Sequence, residues 1–154
     1  MDGITSAASH DVRRSPDDSF KESLAALEAI LDRESDRVSD VGCCDELSAE
    51  LRRLHARFRA HDAGGYFSSS DPAPVVPPEL VEEVERLRSE HRPILGQLDW
   101  LVRHVVGIAD RSMEDQEVLV LRLRELIAVL RRHEAEESRV FFLAMWRETG
   151  GEGG

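Results

Sequence analysis

The sequence predicts an all-α protein, an up-down-up-down antiparallel four-helix bundle. Three observations carry this expectation. Apolar residues recur at three- and four-residue spacing in four separate segments, no stretch alternates as a half-buried strand would, and Gly, Ser and Pro collect between the segments. Helices that each carry one apolar stripe bury it against one another, and short connections make neighbours antiparallel.

At 154 residues the chain is long enough for one continuous core. Apolar residues make up 41% and charged residues 33%, as in helix-rich soluble proteins. A formal net charge of −11 argues against nucleic-acid partners and against an anionic membrane surface, both of which would repel it. No apolar run approaches the roughly 20 residues that cross a bilayer. The opening "MDGITSAASHDVRRSP" lacks the apolar stretch of a signal peptide, so the cytoplasm is the expected location. The only cysteines, Cys43 and Cys44, are adjacent and read as reduced thiols rather than a disulfide framework.

Residues 1–15 read as a mobile polar tail, 16–148 as the bundle and 149–154 as a flexible Gly-rich tail. The first helix opens at "SPDD", with a capping candidate, a first-turn proline and acidic residues. Its apolar positions are Phe20, Leu24, Leu27, Leu31 and Val38. The second begins around "CCDELS" and carries Leu47, Leu51, Leu54, Phe58 and His61, the spacing of a bundle seam. Residues 64–78, "GGYFSSSDPAPVVPP", form a long loop between two hairpins. The third helix follows Pro77 and Pro78 with Leu80, Val84, Leu87, His91, Leu95, Leu98, Val102 and Val105, and Pro93 is expected to kink it. The fourth starts at "SMED", where Ser112 and Asp115 have capping-box spacing. It continues through Leu119, Leu123, Leu126, Leu130, His133, Glu137, Val140, Phe141 and Ala144.

Periodicity sorts the histidines. His61, His91 and His133 each take a seam position on a different helix, His55 and His104 flank the seams, and His10 is in the tail. Each buried ring nitrogen needs a partner, so three in apolar seams call for an explanation. With turns near residue 41 and residue 110 or 111, His61 and His91 each lie ~30 Å from their turn at 1.5 Å per residue. His133 differs from that height by only ~3–5 Å. If the hairpins pack with their turns at one end, these three and Phe20 share a level. His133 and Glu137, four residues apart, share a helix face there. Bundles build core metal sites from side chains that converge in this way.

The segments "LRRLHARFRAHDAGGYF", "SEHRPILGQLDWL" and "LRELIAVLRRHEAEESRVFF" resemble the haemerythrin-like (HHE cation-binding) family over most of the chain, from about Phe20 to Trp146. The resemblance implies a four-helix bundle around a non-haem iron pair, with histidines from all four helices and two bridging carboxylates. Carried over by position, it makes His61, His91, His133 and Glu137 metal ligands. Three departures reduce the set. Phe20 stands where the first helix would supply histidine, Gly65 where the second would supply a carboxylate, and Leu87 and Leu95 where some members place another histidine.

A full di-iron centre is therefore short of ligands. The expectation is a reduced, single-metal site holding non-haem iron or, second, zinc, with a sensing, storage or small-ligand role toward dioxygen or nitric oxide. The alternative is a metal-free bundle that binds a protein partner. In that case Phe20 fills the former cavity against the three histidines, His133 hydrogen-bonds Glu137, and protonation at low pH weakens the fold. An enzyme is the less favoured class, because nothing names a substrate; residues 64–78 are its candidate lid. Glu90, Glu134 and Glu136 read as solvated-face charges, and Asp62 as a candidate substitute carboxylate acting through water. Trp100 and Trp146 read as packing residues.

Overall fold

The computed structural model describes residues 16–34, 41–64 and 75–148. Among them are four long helices and no strand: α1 (Pro16–Glu34), α2 (Val41–Gly64), α3 (Val81–His104) and α4 (Met113–Glu148). A 3-10 turn at Pro78–Leu80 leads into α3, and another at Ile108–Asp110 precedes α4. None of these helices is long and apolar enough to cross a membrane. Val38, His10, Gly65, both expected tails and most of the expected loop lie outside the described residues.

Local chemistry explains the boundaries. α1 begins at Pro16, whose fixed φ suits a first turn and whose missing N–H is no loss there. The turn after α3 passes through Gly107, which has φ 72°, a left-handed conformation that a side chain would strain. The Asp115 amide N–H donates to Ser112 Oγ at 3.1 Å, so Ser112 caps α4 as its spacing predicts. α3 remains helical on both sides of Pro93, which is exposed.

The leucine seams of α1, α2 and α4 are buried as expected. Along α3 and its C-cap the buried line is Leu87, His91, Ile94, Leu98, Leu101 and Val105, with alternating four- and three-residue steps. Leu95 and Val102, expected on that seam, lie beside it and are only half-buried. The helix keeps its 3.6-residue period past Pro93, so Ile94 and Leu101 face the core instead.

Each helix packs on two others, closing the ring α1–α2–α3–α4 back to α1. The contacts run in opposite order along every neighbouring pair. Ser23 meets Arg57 while Arg33 meets Glu46 at 2.6 Å. Asp99 meets His55 at 2.7 Å while His91 meets Asp62 at 2.9 Å. Glu83 meets Arg139 while Glu90 meets His133 at 2.9 Å. Glu28 meets Arg131 at 2.8 Å while Asp32 meets Arg124 at 3.3 Å.

The interior divides into two apolar bodies. The larger contains the leucine seams of all four helices together with Cys43, Cys44 and Ile108. The smaller is Val84, Leu87 and Val140, with Val76 and Leu80 against them. On α3 and α4 the residues between the two bodies include His91 and His133, each buried. A polar layer containing His91 and His133 therefore lies between the two apolar bodies.

Candidate metal centre

The layer is built by three helices. α2 supplies His61 in its last turn, α3 supplies His91, and α4 supplies His133 and Glu137 one turn apart. The structure brings together all four residues that the resemblance implies as ligands. Oε1 of Glu137 lies 3.1 Å from Nε2 of His61, 3.2 Å from Nε2 of His91 and 3.1 Å from Nε2 of His133. His61 Nε2 is also 3.0 Å from the other carboxylate oxygen. One ligand atom from each of the four residues falls within 4.8 Å of all the others, so the group could hold a metal ion.

Burial is graded across the site. The side chains of His133 and His91 are 2% and 6% exposed, whereas His61, at the end of α2, is 39% exposed. His61 therefore forms the rim, not the buried seam position that its spacing predicts. One side of the layer is closed by Phe58, whose ring centroid lies 5.3 Å from His91, 5.8 Å from His61 and 6.1 Å from His133. Phe58 precedes His61 by three residues, which places both on one face of α2. The metal-free reading assigned that position to Phe20. Phe20 instead sits behind Phe58, half-buried, with the two rings 6.2 Å apart.

Two more carboxylates complete the layer. Asp62 Oδ1 accepts from His91 Nδ1 at 2.9 Å, and Glu90 Oε2 accepts from His133 Nδ1 at 2.9 Å. Sequence reasoning placed Glu90 on the solvated face, but it is half-buried between His133 and Arg86, whose Nη1 is 2.7 Å away. Arg86 also pairs with Glu136, and Lys21 pairs with Glu134 at 3.0 Å, so neither of these glutamates is a plain solvated charge. Asp62 contacts His91 directly, where the sequence reading had it act through water. The available signal was adjacency: His61 is followed by Asp62, and His91 is preceded by Glu90. Each of these carboxylates reaches across to the histidine of the next helix.

Among the described residues, His55, His104, Trp100 and Trp146 do not join the site. His55 bonds Asp99, and His104 stacks on Trp100 at 4.0 Å with its Nδ1 2.7 Å from the Trp100 carbonyl. Trp100 is half-buried, with the Arg122 guanidinium 4.4 Å from its ring centroid. Trp146, read as a packing residue, is 65% exposed and stacks along Phe142, because the buried line of α4 runs through Val140 and Ala144.

The electrostatics follow from the contacts. Burial pushes the Glu137 carboxyl upward, but hydrogen bonds from His133, His61 and His91 outweigh it and hold this group far below the usual carboxylate range. Burial acts to lower His133, and hydrogen bonds to Glu137 and Glu90 reverse that, leaving its pKa raised. Carboxylates only accept, so in the metal-free protein only a doubly protonated ring donates from both nitrogens of His133. Protonation of His133 thus strengthens the metal-free fold. The direction of the His133 shift runs against the metal-free reading's expectation that protonated histidines weaken the fold at low pH.

No protein-family model, curated protein or solved structure matches this chain. The chemistry is read from the layer itself. At metal–ligand bonds of 2.0–2.1 Å, a tetrahedral ion spaces its ligands ~3.3–3.4 Å apart. The carboxylate-to-imidazole separations of 3.0–3.2 Å are within a few tenths of that, and every pair of candidate ligand atoms lies within 4.8 Å. Three imidazoles and one carboxylate suit borderline divalent metals, and Cys43 and Cys44 are buried in the larger apolar body rather than in this layer.

Proposed function

We propose that this chain is a haemerythrin-like, up-down-up-down antiparallel bundle that holds one non-haem metal ion through His61, His91, His133 and Glu137. Iron is the first choice and zinc the second. One observation carries the reading: Nε2 of three imidazoles, from three helices, meets a single oxygen of Glu137. A lone core histidine needs one acceptor; here three rings donate to one carboxylate. With those protons displaced, the three Nε2 lone pairs and a Glu137 oxygen, all within 4.8 Å of one another, would face a single cation. The reversed order of contacts between neighbouring helices supports the topology.

A single ion fits the donor count better than a pair. Glu137 is the only carboxylate among the four grouped ligands, and Asp62 and Glu90 engage imidazole Nδ1 atoms instead. Four protein donors leave positions open on an ion that takes five or six, which suits a sensing, storage or small-ligand role toward dioxygen or nitric oxide. The residues of the chain do the preparatory work. Glu137 supplies the buried negative charge, His91 and His133 are oriented from behind, and Phe58 shields one side.

The test is elemental analysis of protein produced with iron and zinc supplied and purified without chelator. Near one equivalent of iron or zinc is expected, lost in His133→Ala while helix content is retained. A second reading, a metal-free protein-binding module, draws on the fact that His91 and His133 already have a carboxylate on each nitrogen. It requires no bound metal and a melting temperature that a chelator leaves unchanged.

A further inference from the structure

We propose that Asp62 and Glu90 are positioning residues of this site: each grips the Nδ1 side of one imidazole, fixes Nε2 as the ligating atom, and strengthens it as a donor. The inference rests on the single-metal reading and extends it to residues that touch no ion.

The geometry is specific. His91 is held between Asp62 Oδ1 at 2.9 Å on Nδ1 and Glu137 Oε1 at 3.2 Å on Nε2. His133 is held between Glu90 Oε2 at 2.9 Å on Nδ1 and Glu137 Oε1 at 3.1 Å on Nε2. A neutral imidazole has one N–H and one lone pair, and the partner of the first decides where the second points. An outer carboxylate on Nδ1 keeps the proton there and turns the Nε2 lone pair inward. It also places negative charge behind the ring, which raises the ring's basicity toward a cation.

The two supports differ in how they are held. Glu90 is itself anchored by Arg86 Nη1 at 2.7 Å, and Arg86 also binds Glu136 on α4. Asp62 sits on the last turn of α2, with its side chain 43% exposed. The support of His133 is therefore stiff and partly screened by Arg86, whereas that of His91 is nearer water. Together they pass orientation round the layer: α2 positions the ligand of α3, and α3 positions the ligand of α4.

The test uses the full chain and measures affinity for Zn(II) and Co(II) by competition with a chromophoric chelator, for wild type, Asp62→Asn, Glu90→Gln and, as a charge control, the exposed Glu125→Gln. Each of the first two substitutions is expected to lower affinity about 10–100-fold at unchanged one-to-one stoichiometry, and the control to leave it unchanged. A structural role alone would not move the second readout. In the Zn(II) form, Asp62→Asn should shift the Nδ1–H resonance of His91 and Glu90→Gln that of His133, each leaving the other in place. Wild-type binding of one ion, with both variants within twofold of it, overturns this inference and leaves the single-metal reading intact. Failure of wild type to bind Zn(II) or Co(II) overturns both. Asp62 is half-exposed and its amide isostere is tolerated in a helix, so Asp62→Asn decides the matter even if Glu90→Gln does not fold.

Discussion

The leucine-packed body and the histidine layer are neighbours in one bundle, yet they are built on opposite principles. The first is hydrocarbon from all four helices, with Leu24, Leu27, Leu47, Leu51, Leu54, Leu98, Leu123, Leu126 and Leu130 fully or almost fully buried. The second draws on three helices and places Glu137, Asp62 and Glu90 among three imidazoles. Apolar packing is tolerant of small repositioning, whereas a charged layer holds only while every partner is present. Apolar packing and the polar cluster that could hold a metal ion thus occupy separate heights of the same helices.

That division can be broken or sharpened experimentally. The largest effect belongs to the leucine body: Leu51→Ala should cost about 2–5 kcal/mol in urea unfolding. Metal stoichiometry of the folded fraction should be unchanged, and a cost below about 1 kcal/mol would show that the dry body is not the source of stability. Next comes Glu137→Gln, which keeps volume but removes the charge on which three imidazoles converge. It should abolish metal binding and cost the chelator-treated protein about 1–3 kcal/mol. Equal metal content in this variant would remove Glu137 from the ligand set.

The pH dependence of the metal-free protein separates the regions further. The folded pKa of Glu137 is depressed, so its contribution is present above the unfolded carboxylate value and declines as pH falls below it. The folded pKa of His133 is raised, so its contribution is complete below the unfolded imidazole value and is lost as pH rises through the folded one. Stability should therefore be highest between about pH 4.5 and 6.5, the ordinary values of the two groups, and decline on both sides. A rise in stability from pH 6.5 to 8 in chelator-treated protein would contradict the assigned His133 contacts. Metal affinity should move the other way, increasing with pH as protons cease to compete for the imidazoles. The smallest effect is remote from the layer: Ser112→Ala removes the cap on α4 at about 1 kcal/mol, with no change in metal affinity.

Much of this was legible in the sequence. Three- and four-residue spacing located the seams, and the shared height of His61, His91 and His133 followed from counting residues from the turns. The phase of α3 beyond Pro93 was misjudged, because Leu95 and Val102 are as apolar as Ile94 and Leu101 and only the continuous helical period separates them. Phe58 and Phe20 were exchanged because a position near one level can belong to either of two facing rings. Glu90 reads as a solvated-face charge, and Asp62 as a carboxylate acting only through water, for a different reason. Periodicity reports which way a residue faces on its own helix, whereas their partners lie on the next one, and only the assembled bundle gives that distance. The expected carboxylate position, Gly65, lies outside the described residues, so the departure it represents rests on sequence alone.

The placement of Phe58 has a consequence for exchange kinetics. Its ring lies against the layer on the side of the leucine body, and His91 and His133 are buried, so an ion bound here would enter past the exposed imidazole of His61. His61 sits on the final turn of α2, where a helix frays most readily. Release and capture would then share one route, and opening a single helical turn would set their rate. Residence time of an ion at the site would then be tuned by the end of α2.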